Sequence, residues 1–181
     1  MYQMLQGLSF MHSRGVVHLD LSCENVLLSD SGEVKIIDFG QARFVEYERD
    51  SKGQPQRKRF SGIKPGKKGY KDPDIFRGAT FDGVAADIWS CGVIIFIVLF
   101  GFPPYTSPHP SDRFFQKLIQ GKLPTIYKDY NRMTNRNVSE AAAKLISGMC
   151  AARPRRLTLE QVLAHEWFND CDIAQQYRAV S

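Results

Sequence analysis

The chain has few cysteines and none close together. Cys23, Cys91, Cys150 and Cys171 stand far apart with no C-x-x-C pair, so metal-site spacing is absent. No disulfide framework is indicated either, and the expected setting is reducing, intracellular and cytoplasmic. The N-terminus "MYQMLQGLSF" lacks a basic region followed by an apolar run, so no signal peptide is expected. The longest apolar run, "IWSCGVIIFIVLFGF" from Ile88, is shorter than the ~20 residues of a membrane span. It contains one serine and two glycines, with Asp87 before it and Pro103-Pro104 after it. A buried core helix is expected there, and no membrane partner. There are no internal repeats, and 181 residues favour one domain.

Acid is absent from one stretch. Lys52 to Lys71 holds eight lysines and arginines and no Asp or Glu, against a chain total of +5. The remainder is therefore net acidic. The basic stretch is also rich in Gly, Pro, Gln and Ser, which predicts a mobile loop. Its plain reading is a solvated loop; its sharper one is a contact surface for an acidic or phosphorylated partner. Phe60 and Tyr70 are its only aromatics, too few to favour base stacking, so nucleic acid is an unlikely partner.

The remaining segments carry ordinary patterns. Residues 1–14 place Met4, Leu8 and Met11 on one helical face, with Gly15 as a stop. "NVLL" and "EVKII" flank "SDSG", which predicts a hairpin. Asp87 to Phe100 reads as a helix apolar on every side. Asp112 to Gln120 fits an amphipathic helix with Phe115, Leu118 and Ile119 inward. Ser139 is placed to cap "EAAAKLISGMC", and Thr158 with Gln161 has capping-box spacing. The expected class is mainly α with a small β-hairpin and at least five helices.

The chemistry-bearing stretch is "HLDLSCENVLL", His18 to Leu28, with "DFG" ten residues on. Phosphoryl transfer needs a carboxylate to accept the acceptor's proton and oxygen ligands for Mg²⁺ at the phosphates. Asp20 is placed to be the base. Asn25 on the same loop and Asp38 at the end of the hairpin are placed to supply ligands, because the hairpin brings them together. A lone Asp before a strand is usually a turn residue, and a lone histidine is usually packed. The signal is the conjunction.

The chain resembles the C-terminal lobe of the eukaryotic protein kinases from Tyr2 to about Phe168, leaving 169–181 as a tail. "HLDLSCEN" is similar to H-R-D-L-x-x-x-N, and "DFG" matches. "DPD" (Asp72 to Asp74) sits where the family has A-P-E. "DIWSCG" and "RPRRLT…LAHEWF" resemble its central and closing helices. The resemblance implies ATP and Mg²⁺ as cofactors and a protein substrate, with Ser/Thr as the acceptor. It implies Asp20 as catalytic base, Asn25 and Asp38 as metal ligands, and Leu27 under the adenine. His18 and Phe39 would stack in the internal spine. Asp87 would brace the catalytic loop, Ile94 and Val98 would continue the core below the nucleotide, and Asp74 would pair with Arg156. The basic stretch would belong to an activation segment, 38–74, facing an acidic substrate.

Four departures matter. Leu19 replaces the family's Arg, the usual receptor for a phosphate on the activation segment, although Ser61 lies near Arg57, Lys58 and Arg59. Ser22 replaces a phosphate-facing Lys, and Lys67 replaces a Thr that reaches Asp20. The expectation is that Lys67 sets its ammonium beside Asp20 and supplies the charge missing at Ser22. Finally, the Gly-rich loop, the Val-Ala-Ile-Lys strand and the Glu-bearing helix of the family have no counterpart in these 181 residues. The missing N-terminal lobe, or a regulatory partner in its place, would then be needed, and this lobe alone would bind ATP weakly. A non-catalytic, pseudokinase-like interaction module is the alternative. "DIWSCG", "RPRR" and "DPD" argue against a small-molecule kinase.

Overall fold

The computed structural model describes residues 1–169 and 171. Of the tail assigned to 169–181, only Asn169 and Cys171 are among them. Helix α1 (Tyr2–Ser13) buries Tyr2, Met4, Leu5, Leu8 and Met11, an i, i+3, i+4, i+7 stripe that must pack against something. Gly15, at φ +69°, reverses the chain after it, a conformation that costs glycine little. Strand β1 (Val16–Val17) follows, then the catalytic-loop stretch, and then β2 (Val26–Leu28) and β3 (Val34–Ile36). These two form the expected antiparallel hairpin, with Val26 opposite Ile36 and Leu28 opposite Val34.

Where the sequence led to the expectation of a loop from Lys52 to Lys71, one strand lies within the stretch, and two more lie just before it. Strand β4 (Arg43–Phe44) pairs with β1, and β5 (Tyr47–Arg49) pairs with β6 (Pro55–Arg57). Every residue of β5 and β6 is exposed. The ribbon therefore has no buried face and no alternating apolar pattern by which sequence reading could find it. Its tip closes where Gly53 N–H donates to Asp50 O at 2.9 Å. Beyond β6 the segment is pinned by apolar packing. Phe60 forms a bridge with Phe81 and stacks on it, ring centroids 5.5 Å apart. Val17, Leu19, Ile75, Phe81 and Ala86 form a small core, with Val45, Phe60 and Ile63 packed against it.

Helices make the rest: α2 (Pro73–Arg77), α3 (Gly83–Phe100), α4 (Arg113–Ile119), α5 (Leu123–Thr134), α6 (Glu140–Met149) and α7 (Leu159–Leu163). Helix α3 is long and apolar enough to cross a membrane by composition, but 72% of it is buried within the fold. Asp82, one turn before the expected start, caps it by accepting from Val84 N–H and Ala85 N–H. It crosses α6 at Gly92, where a Cβ would lie 2.7 Å from Cys150 Sγ and 2.9 Å from Met149 Cβ. Val98 is 51% exposed while Ile94 is buried, so only Ile94 joins the core as expected. Near its C-terminus α3 has a solvent-facing side, and Val98 lies on it.

Two caps are those read from the sequence, Ser139 for α6 and a full capping box at Thr158 and Gln161 for α7, while Asp112, expected as the first residue of α4, is its cap. Burial raises the Asp112 carboxyl, but donation by the backbone N–H groups of Phe115, Thr106, Ser107 and Phe114 outweighs it and holds it below the usual range. Helix α5 was not anticipated. It buries Leu123, Tyr127 and Tyr130, a thin stripe built largely from tyrosine.

Candidate active site

The catalytic-loop stretch is held from below. Asp87 is fully buried on α3. Its Oδ2 accepts from His18 N–H and its Oδ1 from Leu19 N–H, both at 2.8 Å, and His12 Nε2 lies 2.9 Å from Oδ2. A buried carboxylate with three partners is a fixed point, and it fixes the two residues immediately before Asp20. Leu19 takes φ +64°, an uncommon left-handed conformation for a branched side chain. Such strain persists where surroundings over-determine the backbone, here the two hydrogen bonds to Asp87.

His18 joins the loop to the hairpin. Its Nδ1 accepts from Asp20 N–H at 3.2 Å, so Nε2 carries the proton and donates to Ile37 O at 3.0 Å. Its ring lies 5.2 Å from that of Phe39. The hairpin ladder extends one step past β2, as Ile37 N–H donates to Asn25 O at 3.0 Å. Asn25 is thus opposite Ile37, and Asp38 is the next residue. Asp38 is left-handed at φ +62° and its Oδ1 accepts from Gly40 N–H at 3.2 Å. Asn25 Nδ2 donates to Asp20 O at 2.8 Å, which turns the amide's donor end inward and leaves its oxygen unused.

Asp20 is 8% exposed. Its Oδ2 accepts from Gln41 Nε2 at 3.0 Å, while its Oδ1 is buried with no hydrogen-bond partner. An unpaired buried carboxylate oxygen is costly, and it marks where a donor belongs. Leu27, Leu28 and Phe39, on the hairpin and the DFG turn, present exposed apolar surface, Leu27 at 49%.

Two expected contacts are corrected. Lys67 Nζ lies 3.4 Å from Glu24 Oε2, so its ammonium is engaged by that carboxylate and not set beside Asp20. The Glu24 backbone N–H, and then the nearby Lys67 ammonium, hold the Glu24 carboxyl below its ordinary range. The lysine that senses Asp20 is Lys71, which donates to Lys64 O at 2.7 Å. Burial lowers the Lys71 ammonium, and the Asp20 charge partly offsets this. Second, Arg156 pairs with Asp72 and not with Asp74. Asp72 precedes α2 and turns inward, 3% exposed, and it also caps the helix by accepting from Asp74 N–H. Asp74 lies in the first turn and faces Arg77 at 2.6 Å and Arg59 at 3.6 Å. Arg156 also donates to Ala85 O at 2.8 Å and Ala151 O at 3.1 Å, and it lies over the Trp89 ring.

The basic residues around Ser61 are already engaged. Arg57 pairs with Asp82 at 2.9 Å, Lys58 with Glu46 at 2.8 Å, and Arg59 with Thr80 O and Asp74. A cavity of about 450 Å³ lies among His12, Arg57, Asp82, Arg153 and Glu160, and none of Asp20, Asn25 and Asp38 lines it. Sequence reading missed Gln41 and Lys71; no local pattern marks either, since their partners are distant in the chain.

A family model for the protein kinase domain matches residues 1–168. The chain is 34% identical over 167 residues to CBL-interacting serine/threonine-protein kinase 1 of Arabidopsis thaliana, covering 92% of this chain and 34% of that protein. It is 34% identical over 168 residues to serine/threonine-protein kinase chk1 of Schizosaccharomyces pombe, covering 91% of this chain and 31% of that one. It is also 31% identical over 174 residues to serine/threonine-protein kinase kin-29 of Caenorhabditis elegans, covering 96% and 19%. The chain spans about a third of the length of the first of these relatives. With a matched domain running from Met1 to Phe168 and an HxD loop, a hairpin and a DFG turn assembled in one place, this chain belongs to the protein kinase family.

Proposed function

We propose that this chain carries the C-terminal lobe of a serine/threonine protein kinase, with residues 38–74 as its activation segment. The whole protein would transfer the γ-phosphoryl group of ATP to Ser or Thr hydroxyls of intracellular protein substrates. The carrying observation is the Asp20 carboxylate: braced through the Asp87-held loop, bound on one oxygen by Gln41, and left with its other oxygen buried and unpaired. That oxygen accepts the proton of the acceptor hydroxyl. The acceptor oxygen bonds to phosphorus as the bond to the ADP oxygen breaks.

The donor set suits magnesium. Asn25 keeps a carbonyl oxygen and Asp38 a carboxylate oxygen that no other group uses, and both are hard ligands. Among the described residues no cluster of three or more His, Cys, Asp or Glu is poised to hold a metal unaided. This accords with an ion that relies on phosphate oxygens and water for its remaining ligands. When bound, Mg²⁺ neutralises charge developing on the phosphate oxygens. Exposed Leu27 provides the floor for the adenine.

The serine/threonine names of the relatives favour that acceptor class, and the name CBL-interacting favours a regulatory partner. Lys64, Lys68 and Lys71 flank Gly66, where the segment passes against Leu19 O, and favour acidic targets. The test is label transfer from ATP by the protein at its full natural length, comparing serine peptides with Asp and Glu after the acceptor against Lys and Arg counterparts. Acidic peptides are expected to be favoured roughly tenfold in kcat/KM, about 1.4 kcal/mol. Transfer to neither, or a preference for the basic set, would overturn this reading.

A further inference from the structure

The structure assigns to Gln41 the role of positioning residue for the base, tying Asp20 to the activation segment through one side-chain amide. The inference rests on the phosphoryl-transfer reading above. Gln41 Nε2 donates to Asp20 Oδ2 at 3.0 Å, and Gln41 Oε1 accepts from Gly66 N–H at 3.1 Å. Both ends of the amide are therefore used, across 21 and 25 residues of chain. A primary amide is a neutral group whose two ends can donate to a carboxylate and accept from a backbone N–H at once.

The geometry around it leaves little play. Gly66 sits at φ +87°, and a Cβ there would lie 2.9 Å from Leu19 O and 4.0 Å from Asp20 Oδ1. The activation segment thus passes against the backbone of the catalytic loop at a residue without a side chain. Lys67, the next residue, turns away to Glu24, so its side chain makes no tie to Asp20, and Gln41 supplies one. Donation to Oδ2 has a second consequence. It fixes the carboxylate's rotation, so that Oδ1 remains the free oxygen. When the segment shifts, Gly66 pulls on the same amide that holds the base, and catalytic geometry becomes dependent on segment position. Misplacement of a reacting group by about 1 Å can lower a rate roughly 10²-fold.

Two variants separate positioning from simple support. Gln41→Glu keeps an acceptor for Gly66 N–H but loses the donor to Asp20. Gln41→Leu loses both. In the full-length protein, Gln41→Glu is expected to lower kcat about 10²-fold, with KM for ATP within about twofold. Exchange of the Gly66 amide hydrogen should stay at the unaltered rate in Gln41→Glu and accelerate in Gln41→Leu. Gln41→Glu also faces Asp20 with a second carboxylate, so the neutral Gln41→Leu is the control: a merely structural Gln41 would leave kcat intact in Gln41→Leu. Unaltered kcat in that variant, beside a reaction that Asp20→Asn abolishes, overturns this inference alone. Unchanged Gly66 exchange in Gln41→Leu overturns the bridge. A transfer reaction that is absent, or indifferent to Asp20→Asn, in the unaltered protein overturns the proposed function and this inference with it.

Discussion

Asp20→Asn is expected to lower kcat for phosphoryl transfer by about 10³-fold, with KM for ATP within roughly twofold. A general base contributes about 10²–10⁴-fold, and an amide in that place cannot take up the acceptor's proton. The substitution nearly preserves shape, so the surrounding fixed points stay. His18 N–H and Leu19 N–H still reach Asp87, and Asn25 still donates to the backbone oxygen of residue 20. The amide oxygen can still accept from Gln41, so little structural damage is expected to confuse the result. Steady-state kinetics at full length decides it. A loss in kcat with KM for ATP intact identifies a group that acts in the transition state. A loss of less than tenfold would move the base elsewhere.

The second large effect is on stability. Asp72→Ala is expected to cost about 3–5 kcal/mol, because it strands a buried guanidinium. Asp74→Ala is expected to cost about 1 kcal/mol or less, the ordinary size for partly exposed pairs. Arg156 and Asp72 have side chains 5% and 3% exposed, whereas Arg77 opposite Asp74 is 57% exposed. Without Asp72, Arg156 keeps only the carbonyls of Ala85 and Ala151 and the face of Trp89, and none of these carries the opposing charge. Urea denaturation of both variants makes the comparison. Equal losses would return the tie to Asp74, where the A-P-E position of the family had placed it.

Much of the architecture is legible in the sequence, and the reason is locality. The stripe of α1, the β2–β3 hairpin, the all-apolar α3 and the caps at Ser139 and Thr158 depend on residues within a turn or two of one another. Asp20, Asn25 and Asp38 are legible for a related reason: one short hairpin brings them together, and hairpin signals are local. What escaped reading depends on side-chain direction over long separations. Asp72 and Asp74 are chemically alike and two residues apart, and only the entry into α2 decides which faces Arg156. Lys67 has an acid within reach on either side, and Glu24 takes it. Gln41 is an unremarkable residue after Asp-Phe-Gly until Gly66 folds back onto it.

Leu19 illustrates a change of means. A buried Leu19 in the cluster with Ile75 and Phe81 occupies the place where the family resemblance puts a phosphate-binding arginine. The segment is anchored there by apolar packing, and the basic residues next to Ser61 are spent on Asp82, Glu46 and Asp74.

Asn25 and Asp38 are proposed to hold a magnesium nucleotide over Asp20. The most direct test of this is the melting temperature of the full-length protein with and without millimolar Mg²⁺-ATP, since a ligand that binds only the folded state raises stability by mass action. A rise is expected in the unaltered protein that persists in Asp20→Asn and disappears in Asp38→Ala. No rise in the unaltered protein, or an equal rise in Asp38→Ala, would contradict it.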